Sequence, residues 1–196
     1  KASTNGVMSR HLNSYKNISL FPWKEDSVVT FYTPTHKSGI LLYNWLECNS
    51  YFADELVVST DSGQLKENDL LLCSKYINTK VVPITMADNF ASGRNECLKA
   101  CTSNYILQLD IDERIEDFMA VRRMIDIPSY DCWMFTIPNL QKDGGQIITE
   151  TIRLFQNKDN VQYWGRLHET IDNHVKSKGW RISKSPVKLT HFGYTL

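Results

Sequence analysis

Short runs of β-branched and aromatic residues alternate along the chain with stretches whose apolar positions recur at helical spacing. Val28 to Tyr32 reads as a buried strand, ended by Thr33-Pro34-Thr35. After Gly39, apolar Leu41, Leu42, Trp45, Leu46 and Phe52 share one helix face. Glu55 to Ser59 is a second strand, followed by a turn at Thr60-Asp61-Ser62-Gly63. Leu70, Leu71, Leu72 and Tyr76 mark a second helix. Lys80 to Ile84 is a third strand, whose Pro83 predicts a sheet edge or a bulge. Phe90 to Cys101 is a third helix and Tyr105 to Leu109 a fourth strand. Strand and helix thus alternate over the first ~110 residues, the pattern of a parallel α/β sheet. The rhythm then changes. A helix over Phe118 to Ile125 precedes strands at Cys132 to Ile137 and Gln146 to Phe155, and the Gly144-Gly145 turn between them predicts an antiparallel pair. Trp180 to Tyr194 reads as short strands or loops. The expected fold is a mostly parallel central sheet flanked by helices, with a smaller mixed or antiparallel portion.

Composition changes this picture little. The 196 residues carry 42% hydrophobic and 22% charged side chains, values of a soluble globular domain. Lys+Arg and Asp+Glu both number 22, so no basic excess favours nucleic acid as a partner. No apolar run approaches the ~18 residues of a membrane span. The polar start shows no signal peptide. Cys48, Cys73, Cys97, Cys101 and Cys132 are odd in number and include no C-x-x-C pair, so buried thiols in a reducing, cytoplasmic setting are expected. Residues 1–27 have no sustained period and read as an N-terminal extension that packs its Phe21-Pro22-Trp23 aromatics on one domain spanning residues 28–196.

Candidate chemistry gathers where strands end. The apolar run Tyr105 to Leu109 leads directly into Asp110-Ile111-Asp112-Glu113. Ligands of parallel α/β sheets bind at the carboxyl ends of strands. In extended backbone, Asp110 and Asp112 project to one side, where a hard cation such as Mg²⁺ or Mn²⁺ would offset their repulsion. The bland alternative is a solvated acidic turn with Asp112 or Glu113 capping a helix. Arg94, opening the third helix, offers a guanidinium for paired hydrogen bonds to a diphosphate, or a surface partner for Glu96. Tyr163-Trp164-Gly165-Arg166-Leu167-His168-Glu169 combines aromatic faces that stack on sugar rings with a carboxylate able to take a proton. His191, in His191-Phe192-Gly193-Tyr194, is a further imidazole that metal chemistry would use.

Taken in order, these segments resemble a family 2 glycosyltransferase of the GT-A fold. Glu55-Leu56-Val57-Val58 with Asp61-Ser62-Gly63 is similar to the family's second strand and acidic turn. Phe90-Ala91-Ser92-Gly93-Arg94-Asn95 resembles its F-x-x-A-R-N helix start, and Tyr105 to Glu113 its Y-I-L-x-L-D-x-D-E run. Arg153-Leu154-Phe155, Tyr163-Trp164-Gly165 and His168-Glu169 resemble the R-x-F … Y-x-G-x-x-H-E stretch of one bacterial branch. The resemblance covers roughly residues 28 to 194. It implies a nucleotide-sugar-binding half at 28–115 and an acceptor-side half at 116–196. It also implies metal-dependent, inverting transfer of a sugar from a nucleoside-diphosphate donor, UDP being the commonest, to a hydroxyl of a glycan, a lipid-linked sugar or a protein. Thr33 and Pro34 would then lie beside the nucleobase, Asp61 near base or ribose, Arg94 at the diphosphate and Asp110 at the ribose or metal. Asp112 and His191 would ligate Mn²⁺ or Mg²⁺. Trp164 and His168 would face the acceptor, and Glu169 would be the catalytic base, with Glu150 the second candidate.

Ser59-Thr60-Asp61-Ser62-Gly63 departs from the family's D-D-G-S run by one acidic position. That departure keeps open a non-catalytic module that binds nucleotide-sugar or glycan. A sugar nucleotidylyltransferase expects a G-x-G-T-R loop where this chain reads Tyr32-Thr33-Pro34-Thr35-His36-Lys37.

Overall fold

The computed structural model describes residues 29–35, 39–61, 66–76, 78–84, 89–126, 129–140, 145–166 and 168–191. The 1–27 extension, Ser62-Gly63, Gly144 and the Phe192-Gly193-Tyr194 segment lie outside the described residues, as do the side chains of Pro34 and Asp61. The strands are β1 (Val29–Thr35), β2 (Glu55–Asp61), β3 (Thr79–Ile84), β4 (Tyr105–Gln108), β5 (Glu113–Ile115), β6 (Cys132–Leu140), β7 (Gln146–Gln156) and β8 (Ile182–His191). The helices are α1 (Ile40–Asn49), α2 (Glu67–Cys73), α3 (Phe90–Ala100), α4 (Phe118–Ile125) and α5 (Asp172–Lys178).

Among the described residues, one eight-stranded sheet runs in the order β3-β2-β1-β4-β7-β6-β8-β5. β1 pairs in parallel with β2 and β4, and β2 with β3. This is the half that alternation in the sequence predicts. β7 then joins antiparallel to both β4 and β6, as the Gly144-Gly145 turn predicts. β3 is an edge strand, which accommodates Pro83 because its missing donor costs no ladder bond there. The two-residue period of the strands divides the core. Phe31, Leu56, Val58 and Leu107 face α1 and α4, whereas Tyr32, Val57 and Ile106 face α3 and α5.

Local chemistry sets the helix ends. Gly39 precedes α1 with φ 70°, a conformation side chains disfavour, and its N–H donates to Asp69 Oδ1 at 3.0 Å. Asn89 caps α3 by accepting from Ser92 N–H, and Asp117 caps α4 by accepting from Ala120 N–H. Gly179 (φ 63°) closes α5 in the left-handed conformation.

Six expectations need correction. β2 runs on through Thr60 and Asp61, the first residues of the expected turn, and α2 stops at Cys73, short of Tyr76. β1 runs on through Thr33 and Thr35 instead of ending at Tyr32, because its end pairs with Ser59 and Thr60 of β2. α1 stops at Asn49, and Phe52 reaches the core from the following turn, where its ring stacks on Phe118 at 4.1 Å. The tail is one ten-residue strand, β8, parallel to β6, with its register shifted between Lys184 and Lys188. Pro186 falls inside that irregularity, so the ladder tolerates it. β5 and α5 were not anticipated. β5 is three residues long, and α5 buries little besides His174 and Val175, so neither carries a hydrophobic period.

All five cysteines are free, and four are buried. Burial pushes the Cys97 and Cys73 thiols up to about 11.

Asp131 ties β6 to the chain around it. Its carboxylate accepts from Lys158 Nζ (2.7 Å), from Arg181 N–H (2.8 Å) and from Arg181 Nε–H (3.1 Å). Burial works against ionisation, but these bonds outweigh it and hold the carboxyl far below its usual range. The stabilisation is therefore complete above the unfolded value of about 3.9 and is lost as pH falls through the lower folded value. Asp131→Asn is expected to lose about 1.5–3 kcal/mol at neutral pH. In urea denaturation the gap to the unsubstituted protein should narrow toward about pH 2. A gap independent of pH would show that the charge is not what matters.

Candidate active site

The site forms at the carboxyl end of β4. Leu109 continues the strand direction, its N–H bonding Tyr32 O at 3.0 Å. The chain then turns, with Glu113 N–H donating to Asp110 O at 2.9 Å. Asp110 and Asp112 therefore stand on a turn and not on extended backbone, so the alternation argument for their convergence does not hold. The acidic turn is not solvated either. Asp112 is 7% and Glu113 2% exposed. Neither caps a helix, a role taken by Asp117.

Two arginines from different elements hold this turn. Arg94, one turn into α3, lies with Nη1 3.5 Å from Asp110 Oδ1 and donates Nε–H to Glu169 Oε1 at 2.5 Å. Arg153, on β7, donates Nη2–H to Glu113 Oε1 at 2.6 Å and reaches Asp110 Oδ2 at 3.3 Å. Glu113 Oε2 accepts the Asp110 N–H at 2.9 Å, and Gln108 Nε2 donates to Asp110 Oδ1 at 2.8 Å. Burial would raise the Asp110 pKa, but Arg153 and Arg94 outweigh it and hold the carboxyl below its ordinary value. Burial pushes Glu113 up to about 7 against the pull of Arg153. Arg94 stays charged, since the carboxylates around it more than offset its own desolvation.

The strap that carries Glu169 is fastened to α3. Asn95 Nδ2 donates to Tyr163 O (3.1 Å), and Asn95 Oδ1 accepts from Tyr163 N–H (2.7 Å). Phe90 N–H bonds Arg166 O at 3.3 Å. Trp164 and Thr170 exchange two backbone bonds, closing a loop that turns Glu169 back toward Arg94. The Arg94 guanidinium also lies over the Tyr163 ring, 5.5 Å from its centroid. Tyr32 is fully buried beside this pair, and burial raises both phenols.

On the other flank, β5 pairs with β8 so that Glu113 stands opposite His191. His191 Nε2 is 3.4 Å from Asp112 Oδ1. The hydrogen bond to Asp112 raises the imidazole pKa above its ordinary value, with burial opposing. Among the described residues, no three His, Cys, Asp or Glu side chains gather in a way that would hold a metal alone. One carboxylate and one imidazole facing each other do fit a Mn²⁺ or Mg²⁺ that takes its remaining ligands from phosphate oxygens and water.

The structure thus joins Arg94, Asp110 and Glu169 in one network and brings Asp112 to His191. Thr33 is buried at the carboxyl end of β1, its Oγ1 without a hydrogen-bond partner among the described residues. Pro34 and Asp61 are placed by backbone only, opposite Ser59 and Ile84. Trp164 is 55% exposed, and His168 is exposed with φ 57°. Neither touches the charged network through any described contact. Glu150 lies on an exposed stretch of β7 and pairs with Lys184 at 3.0 Å. Sequence reasoning gave no role to Arg153 or Asn95, only a helix-capping role to Glu113 and only a stacking face to Tyr163, although all four sit in quoted motifs. A lone Arg in the buried half of a strand was the available signal.

No protein-family profile matches the chain. A TPR repeat-containing protein of Synechococcus elongatus is 28% identical over 150 residues, 72% of this chain and 36% of that protein. The SPbeta prophage-derived glycosyltransferase SunS of Bacillus subtilis is 24% identical over 174 residues, 83% of this chain and 40% of that protein. The chain therefore spans less than half the length of these curated relatives. Among solved structures, S. aureus TarS 1-349 in complex with UDP-GlcNAc superposes with a TM-score of 0.61 at 20% identity, over 83% of this chain and 58% of that one. The mannosyltransferase PcManGT from Pyrobaculum calidifontis, in complex with GDP-Man and Mn²⁺, gives 0.59 at 14% identity, over 95% and 65%. The bifunctional IspDF from Campylobacter jejuni gives 0.52 at 12%, over 80% and 49%. The chain has the mixed α/β fold of GT-A glycosyltransferases.

Proposed function

We propose that this chain is the catalytic domain of an inverting, metal-assisted glycosyltransferase that uses a nucleoside-diphosphate sugar. The observation that carries the reading is one continuous charged network at the carboxyl end of β4. It links the Arg94 guanidinium, which would bind a diphosphate, to both Asp110 and the candidate base Glu169. Fold likeness to proteins solved with UDP-GlcNAc and with GDP-Man and Mn²⁺ agrees with it. The family 2 resemblance supplies the roles of Thr33, Pro34 and Asp61 beside the base and ribose, and of Trp164 and His168 on the acceptor side.

Asp110 would orient the ribose, held in place by Gln108 and Arg153. Arg94 would bind the diphosphate. Asp112 and His191 would hold a divalent cation, which when bound neutralises charge on the leaving phosphate. Glu169 would take the proton of the acceptor hydroxyl as its oxygen bonds to the anomeric carbon. The bond from that carbon to the phosphate oxygen breaks on the opposite face, so the anomer inverts and a nucleoside diphosphate leaves. The acceptor would be a hydroxyl of a glycan, a lipid-linked sugar or a protein. Five free cysteines fit a reducing, cytoplasmic setting. No helix of the described residues is long and apolar enough to cross a membrane.

IspDF likeness favours nucleotidyl transfer as the second reading, but the first strand lacks that chemistry's Gly-rich phosphate loop. Calorimetric titration of UDP, GDP, CDP and dTDP, with and without Mn²⁺, tests the proposal. Metal-dependent binding of one of them is expected. Binding of none would return the chain to the non-catalytic reading. Asp112→Ala should abolish the Mn²⁺ dependence and leave the protein folded. Undiminished metal-dependent affinity in that variant would remove Asp112 from the metal site.

A further inference from the structure

We infer that Asn139 is a positioning residue that holds the His191 proton on Nδ1, so that the neutral ring turns its Nε2 lone pair toward Asp112. This rests on the proposed metal role of His191 and extends it to a residue with no place in the motifs.

The assignment follows from which groups accept. Asn139 lies on β6 directly opposite His191 of β8. Its Nδ2 is 3.2 Å from Ile137 O, 3.2 Å from Ile147 O and 3.0 Å from Thr149 Oγ1. The Thr149 hydroxyl donates to Ile137 O, so its oxygen also presents a lone pair to Asn139. Three acceptors around one end of the amide leave a single sensible orientation. The NH₂ points at them, and a flipped amide would set its oxygen against two carbonyls. Asn139 Oδ1 therefore faces His191 Nδ1, at 2.7 Å. A carboxamide oxygen only accepts, so Nδ1 carries the hydrogen whether the ring is neutral or protonated.

The other nitrogen then has a defined role. In the protonated ring Nε2–H donates to Asp112; in the neutral ring, the form that ligates a metal, Nε2 is the lone-pair atom, 3.4 Å from Asp112 Oδ1. Two electron-rich atoms facing at that distance suit a shared cation. The opposite tautomer would set the Nδ1 lone pair against Asn139 Oδ1 at 2.7 Å, a closer repulsion. The β6–β7 hairpin thus reaches the metal site through Asn139, since Ile147 and Thr149 belong to β7. A histidine ligand commonly needs such an acceptor on its second nitrogen, and losing one costs about 10–100-fold in metal affinity.

Nitrogen-15 NMR of the ring in the metal-free protein tests this without any substitution. With His191 neutral, Nδ1 should give a pyrrole-like shift and Nε2 a pyridine-like one. The reverse pattern overturns the assignment. Mn²⁺ binding, followed by electron paramagnetic resonance with UDP or GDP present, tests the consequence. Asn139→Ala should weaken Mn²⁺ about 10–100-fold and move the ring proton toward Nε2, where Asp112 remains as acceptor. Unchanged Mn²⁺ affinity in Asn139→Ala, when His191→Ala loses it, overturns the role of Asn139 alone. Unchanged affinity in His191→Ala overturns the metal reading beneath it.

Discussion

Glu169→Gln is expected to bind donor nucleotide as tightly as the unsubstituted protein while its turnover falls about 10²–10⁴-fold, the usual loss when a positioned general base is removed. Glutamine is the informative replacement because of Arg94. The Arg94 Nε–H donates to Glu169 Oε1 at 2.5 Å, and an amide oxygen can still accept that bond. The guanidinium then keeps its place beside Asp110, and the donor side is undisturbed. The amide, however, has no basic lone pair for the acceptor proton. A split between intact nucleotide affinity by calorimetry and lost sugar transfer in a coupled diphosphate-release assay would locate the base. If turnover survives, proton removal belongs elsewhere. Glu150, tied to Lys184 and exposed, would then have to be tested in the same way.

Arg153→Met is expected to have the largest effect on stability. Arg153 is buried with Glu113, and one guanidinium answers both that carboxylate and Asp110. Removing one partner of a buried pair costs about 3–5 kcal/mol, because the other charge stays in a poor solvent. For a domain of this size that is roughly 6–20 °C in melting temperature. Methionine keeps most of the volume, so the loss reports charge more than a cavity. The loss should also depend on pH. Burial already raises the Glu113 pKa, and without Arg153 it rises further. A carboxyl raised above its unfolded value stabilises most while protonated and loses that contribution as pH climbs through the folded value. With Arg153 present Glu113 already loses that contribution on the way up to about 7, so the deficit of Arg153→Met should deepen as pH climbs beyond about 7. Adding Glu113→Gln should recover part of it. A double variant no more stable than Arg153→Met would mean that the buried charge is not the cause.

Local patterning is what made the first half legible. β2, β3, α3, β4 and α4 appear within a residue or two of where their periods begin and end, since side-chain alternation and helical spacing are properties of neighbouring residues. Pro83 marked its strand as an edge or a bulge for the same local reason, and the edge is what forms. β5 and α5 escaped because three residues and one buried turn show no period. β8 escaped because Pro186 looks like a breaker until the register shift that accommodates it is visible.

The candidate site divides the same way. Asp110, Asp112, Arg94 and Glu169 were legible as chemistry-bearing residues at element ends, and His191 as an imidazole without an obvious partner. Their residue types and order along the chain are matters of sequence. Which charges meet is not. Arg94 and Glu169 are 75 residues apart, Arg153 and Glu113 40 apart, and Asn139 and His191 52 apart. Each of those contacts exists because antiparallel β7 and the β6–β8 pairing fold the second half of the chain back against the end of β4. Sequence by itself determined the parallel half and the inventory of reactive groups, because short-range spacing dictates both. The tertiary structure decided that Asp112 and Glu113 of the acidic turn are buried, that two arginines counter the turn's charge, and that Asn139 meets the histidine facing Asp112. Burial and hydrogen-bond partnership depend on strands brought together across the sheet, and no local pattern encodes them.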